Sequence, residues 1–136
     1  MVVLALSTWF TATREPSMVG NIKYYDEGVM EQVAVNRGYI DNTSLYRGWL
    51  DERGIDGAVS LMRYGDIGRE GWMLVDGFPP VKVLVIDCVE REHYTRRVVE
   101  QGDIGEVDRT LAKRYGMEGP IEGRVIFTTR PQRRAR

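Results

Sequence analysis

The chain has 136 residues, enough for one domain with its own core and short for two. Its 43% hydrophobic and 29% charged content fits a globular domain, and a net charge of -1 argues against nucleic acid as a partner. A single cysteine rules out an internal disulfide, and a single histidine argues against a histidine-based zinc site or a Ser-His-Asp triad.

In chain order, Val2–Thr13 alternates apolar with small or polar residues and has no Lys or Arg before it. It is therefore expected to be a first strand rather than a secretory signal. Met18–Tyr25 alternates and predicts a strand, and Val29–Ala34 is ambiguous. Asn36-Arg37-Gly38 marks a turn. Leu45, Trp49 and Leu50 predict one or two helical turns inside Asp41–Gly57. Ala58–Met62 and Glu70–Val75 predict two strands around a turn at Tyr64–Gly68. That turn lacks the Gly-Lys-Ser/Thr continuation of a phosphate loop, so no cofactor is implied. Asp76-Gly77 and Pro79-Pro80 lead into Val81–Cys88, an apolar run expected to be a strand buried on both faces.

Beyond a charged loop, Arg97–Gln101 is expected to be a short strand. Asp108 is a favourable N-cap, and Leu111, Ala112 and Tyr115 share one helix face. Gly116 and Pro120 stop the helix. Ile121 to Thr128 predicts the last strand. No run approaches the ~20 apolar residues of a membrane-spanning helix. Many short strands with little helix predict an all-β barrel. Residues 1–129 are expected to form one domain followed by a basic tail, 130–136. RPQRRAR carries four Arg and no acid, so the rest of the chain sits near -5 (-1 less +4).

Two acids stand out. Asp87 sits where the Val81–Cys88 strand ends, against an apolar wall that would raise its pKa and suit it to act as a general acid. It could equally bind turn amides. Glu106 lies two residues before the helix cap, where it could complement the helix dipole. Paired carboxylates in one cleft are the tools of glycosidic chemistry. His93 and Tyr94, in the loop Glu90-Arg91-Glu92-His93-Tyr94, could line such a groove. Trp49 and Tyr24 could offer rings to sugars, or simply pack in the core. Cys88 fits a small interior residue.

VLVIDCVERE and GEVDRTLAKRYGM resemble the double-psi β-barrel of the rare lipoprotein A, barwin and expansin group. The pattern there is a strand ending in Val-x-Asp-x-Gly-Pro, then Ile-Asp-Leu-Ser-x-x-Ala-x-x-x-Leu-Gly. Asp87 falls on its first acid and Glu106 on its second. Val107 falls on the Leu, Asp108 on the Ser and Gly116 on the final Gly. The chain departs by Glu for Asp at 106, by the charged loop in place of Gly-Pro, and by having no His near Met62, where the family's would fall.

The resemblance implies a six-stranded double-psi barrel with one or two short helices, placed outside the cytoplasm. It further implies a wall polysaccharide such as peptidoglycan as substrate. Asp87 would act as general acid of a lytic transglycosylase or hydrolase, with Glu106 as orienting or second carboxylate. A non-catalytic, expansin-like glycan binder and a structural protein reusing the barrel remain open beside it.

Overall fold

A computed structural model describes Thr13 and residues 15–131 of the chain. The expected first strand lies outside them apart from Thr13, whose N–H donates to the Phe127 carbonyl at 2.8 Å; residues 132–136 of the basic tail also lie outside.

Six strands close a barrel: β1 (Met18–Tyr24), β2 (Gly57–Leu61), β3 (Glu70–Leu74), β4 (Val81–Cys88), β5 (Asp103–Val107) and β6 (Ile121–Phe127). Around the barrel they run β1-β5-β2-β4-β3-β6. β1 pairs with β5 and β2 with β4 in parallel, and the other four pairings are antiparallel. This mixed closed barrel is compatible with the double-psi topology. Three α-helices are added: α1 (Val29–Asn36), α2 (Tyr46–Glu52) and α3 (Arg109–Arg114).

The period-2 alternation of the strands sorts side chains into two layers. Val59, Val83, Val85, Val107 and Phe127 fill the barrel interior. Ala58, Leu84 and Ile86 form a second, outer layer, covered by Met30 and Ala34 of α1 and by Leu50 of α2. The prediction that β4 is buried on both faces is therefore met, because the helices cover its outer side. Burial of this kind contributes about 1.5–3 kcal/mol per large apolar side chain, an upper estimate.

Two elements differ from the sequence reading. Arg97–Gln101 is not a strand: Thr95–Glu100 forms a π-helix. Val98-Val99 reads as strand-like, yet the closed barrel leaves no free edge to pair with, since β5 already pairs with β1 and β2. Conversely, Asp103–Val107, with two acids and a glycine, is a central strand. Gly105 permits it, because a Cβ there would stand 2.4 Å from the Ser60 carbonyl oxygen.

The helix boundaries follow the expected chemistry. The Asp108 carboxylate accepts from the Leu111 N–H at 2.9 Å, and Gly116 takes φ 62° at the stop. A clip centred on a buried arginine ties Glu15, before the first strand, and Thr129, after the last, to the barrel. Arg69 is fully buried, stacks on Phe127 at 3.6 Å, and binds Asp66 at 2.9 Å, Glu15 and the Thr129 carbonyl.

Candidate functional site

The site lies where β4, β2 and β5 run side by side. Alternation along β4 points Val81, Val83 and Val85 into the barrel, so Asp87 would follow them inward. A bulge prevents this: Val59 pairs with Val85, yet Ser60 pairs with Asp87, leaving Ile86 as the extra residue. Asp87 is thereby turned to the outer face beside Ser60. Glu106 of β5 pairs with the same Ser60 from the other side. One intervening strand thus separates the two acids, roughly 10 Å between Cα atoms by strand spacing.

Asp87 has two donors. The Tyr25 hydroxyl donates to Oδ2 at 2.9 Å, and Arg37 donates to Oδ1 at 2.7 Å. Tyr25 stands just past β1, held by its N–H to the Val107 carbonyl at 2.9 Å. Arg37 caps the C-terminus of α1, which carries it over the end of β4. Burial pushes the Tyr25 phenol well above its usual range; a hydrogen bond with Ser60 opposes it, and the charge and hydrogen bond of Asp87 add to the rise. Burial works against the Arg37 charge, but Asp87 outweighs it and raises the guanidinium pKa further.

Glu106 is served by Arg97. Its guanidinium pairs with Glu106 and donates to Asp103 Oδ2 at 3.2 Å, while Lys23 reaches the same Asp103 oxygen at 2.9 Å. Burial disfavours the Arg97 charge, and the two acids reverse that effect. The π-helix delivers this arginine, an irregularity of the kind that often accompanies functional sites.

Both acids line one open groove of two adjoining lobes. The narrow lobe, about 190 Å3, contains Tyr25, Ser60, Asp87, His93, Arg97 and Glu106. The wide lobe, about 700 Å3, contains Arg37, Met62, Tyr64, Asp87, Arg91 and Tyr94. Asp87, Cys88, Val89 and Glu90 form their common wall. His93 lines the narrow lobe and Tyr94 the wide lobe, and Met62 also lines the wide lobe.

Two other expected residues lie elsewhere. Tyr24 packs against the barrel core beneath Arg109, whose guanidinium carbon is 5.0 Å from the ring centre. Trp49 stacks on Tyr39 at 5.1 Å in a separate cleft of about 380 Å3 beside α2. Neither lines the groove. Strand parity explains Tyr24, because its neighbour Tyr25 is the one that reaches Asp87. Tyr25, Arg37, Ser60 and Arg97 were not legible in advance, since they arrive from four separate segments.

For a metal, the described residues offer one group of His, Cys, Asp and Glu with ligand atoms close enough to share an ion. It comprises Glu90, Glu92 and His93, with atoms within 4.8 Å of one another. Both glutamates are exposed, and the group sits on the rim of the groove. Among the described residues no helix is long and apolar enough to cross a membrane. No protein-family model, curated protein or solved structure matches the chain.

Proposed function

We propose that this barrel belongs with the rare lipoprotein A, barwin and expansin group and acts outside the cytoplasm on a wall polysaccharide such as peptidoglycan. The observation that carries the reading is the register at Ser60. It sets Asp87 and Glu106 on either side of one strand, facing the same groove. Two carboxyls on opposite sides of a sugar chain are what glycosidic cleavage uses. In that chemistry Asp87 gives its proton to the glycosidic oxygen as the C–O bond to the anomeric carbon breaks. Glu106 faces the positive charge that develops on the ring. Either water or a hydroxyl of the same sugar then closes on the anomeric carbon and returns a proton to Asp87.

One observation favours a second reading, a groove that binds glycan without cutting it. Each acid already faces a guanidinium, Arg37 for Asp87 and Arg97 for Glu106. That arrangement suits accepting hydrogen bonds from sugar hydroxyls better than giving up a proton. Asp87→Asn separates the two. For an enzyme, release of soluble sugar from purified wall falls ~100-fold or more, the usual size of a general-acid effect, while affinity is nearly unchanged. For a binder, wild type releases nothing and the variant alters affinity alone. If wild type and Asp87→Asn release sugar equally fast, Asp87 is not the acid. If wild type neither binds nor cuts wall glycan, both readings fail.

A further inference from the structure

The cleft beside α2, apart from the groove, has a character of its own. Its lining, about 380 Å3 in extent, includes Tyr39, Asp41, Leu45, Gly48, Trp49 and Glu52. The apolar side is firmly set. Trp49 stacks on Tyr39 with ring centres 5.1 Å apart, and the buried Tyr46 meets it edge-on at 6.0 Å. Leu45 adds an exposed aliphatic surface to the same lining.

The charge of this cleft is one-sided. Asp41 and Glu52 are exposed, and among the described residues neither carboxylate has an ion-pair or hydrogen-bond partner. The arginines nearest Glu52 in sequence are engaged elsewhere. Arg47 binds Asp51 at 2.9 Å and the Ile55 and Asp56 carbonyls, and Arg53 reaches Glu70 at 3.5 Å. The Ser44 hydroxyl donates to Asn42. The charged groups of the cleft are therefore acceptors only, beside an apolar wall.

Gly48 is a second, independent sign. It lies inside α2 without positive φ, and a Cβ there would meet nothing within 4 Å. Glycine in a helix interior costs stability relative to alanine, and here no packing requires it. What it provides is a bare stretch of backbone in the lining, next to Trp49.

We propose that this cleft binds an arginine side chain presented by a partner peptide. A guanidinium offers donors and no acceptor, which complements Asp41 and Glu52. Its methylene stem can lie along Leu45 and the aromatic pair while the charged head meets the acids. A neutral sugar, whose hydroxyls both give and accept, matches such a lining less well. Outside the basic tail the chain carries about -5, which favours the approach of a cationic partner.

A nuclear magnetic resonance titration of the whole chain tests this, following the Trp49 indole N–H, identified by its loss in Trp49→Phe. The probes are acetyl-Ala-Arg-Ala-amide, its counterpart with neutral citrulline for arginine, and cellohexaose. The arginine peptide should shift the signal saturably, and the citrulline peptide should bind at least about tenfold more weakly. Asp41→Asn with Glu52→Gln should weaken the arginine peptide about tenfold, and added salt should weaken it in wild type. Gly48→Ala should melt no lower than wild type, and Gly48→Leu should lose binding by filling the cleft. Should Gly48→Leu melt early, the acid variant and the citrulline peptide still decide the matter. An unmoved indole, equal affinity for citrulline, or undiminished binding by the acid variant overturns the proposal. Cellohexaose shifting the indole as strongly as the arginine peptide makes the cleft a glycan site instead and overturns it too. A shift that grows with protein concentration alone makes a second copy of this chain the occupant and overturns the partner assignment.

Discussion

Two aspartates, each at the end of a strand and each hydrogen-bonded to a tyrosine, are held in different ways. Asp108 is fully buried, and both its oxygens are engaged. Oδ2 accepts from the Ala58 N–H at 2.9 Å and from the Tyr46 hydroxyl at 2.5 Å, and Oδ1 accepts from the Leu111 N–H at 2.9 Å. Asp87 keeps 19% of its side chain open and is held by Tyr25 and Arg37, the latter partly exposed itself. Fixed backbone amides make the first carboxylate a joint between β2 and α3. Side-chain donors make the second one rearrangeable. A tyrosine partner alone does not tell the two acids apart. The nature of the other donors does.

The largest test of that contrast is removal of each acid. Asp108→Ala leaves two amides and a phenol unpaired in the interior. It should cost about 3 kcal/mol or more in urea unfolding, beyond the ~1 kcal/mol of an ordinary cap. Asp87→Ala should cost less than about 1 kcal/mol, because its partners can turn to water. Equal costs would erase the distinction. Next come the phenols. Tyr46→Phe should destabilise by about 1–2 kcal/mol and Tyr25→Phe by less than about 1 kcal/mol. The reverse order would mean that the groove, not the joint, is the stiffer region.

Alkali acts on the same groups. Burial, and then the Asp108 carboxylate, raises the Tyr46 phenol above 10.0; burial pushes Tyr115 up to about 12. A raised folded value means that the neutral phenol stabilises the fold. That contribution is whole below pH 10; for Tyr115 it is lost as pH rises through about 12, and for the more strongly raised Tyr46 it falls throughout that window. Thermal melts across that window should fall, and less steeply for Tyr46→Phe. A slope identical to wild type would remove Tyr46 from the account. The smallest effect is expected at Tyr115→Phe. Its hydroxyl is buried without a hydrogen-bond partner among the described residues, so its loss should change stability by no more than about 0.5 kcal/mol, and in the stabilising direction.

Local patterns were legible, and partnerships were not. Val81–Cys88 could be bounded to the residue because an apolar run between Pro-Pro and a charged loop has one reading. Asp108 and Gly116 announced the last helix through cap and stop chemistry. Asp103–Val107 could not be seen, since its fitness as a strand rests on Ser60 approaching Gly105 from another part of the chain. Nor could Val98-Val99 reveal that every neighbouring strand edge was taken. The pairing of Asp87 with Glu106 was visible as two acids near two element ends. Their guanidinium partners come from residues 37 and 97, one at a helix end and the other on a π-helix, and no local spacing encodes either.

The bulge at Ile86 gives one strand two phases. Before it, each residue of β4 answers to the barrel's alternation, and a change is judged by how it fills the interior or the layer beneath the helices. After it, counting restarts, and Asp87 answers to the groove. The strand can therefore vary its apolar sequence upstream without moving the acid, and vary its mouth without disturbing the core. The single extra residue is what separates the two jobs, so its loss would be an error of phase rather than of chemistry. Every residue of the groove would still be present, with the carboxylate facing the wrong side of the wall.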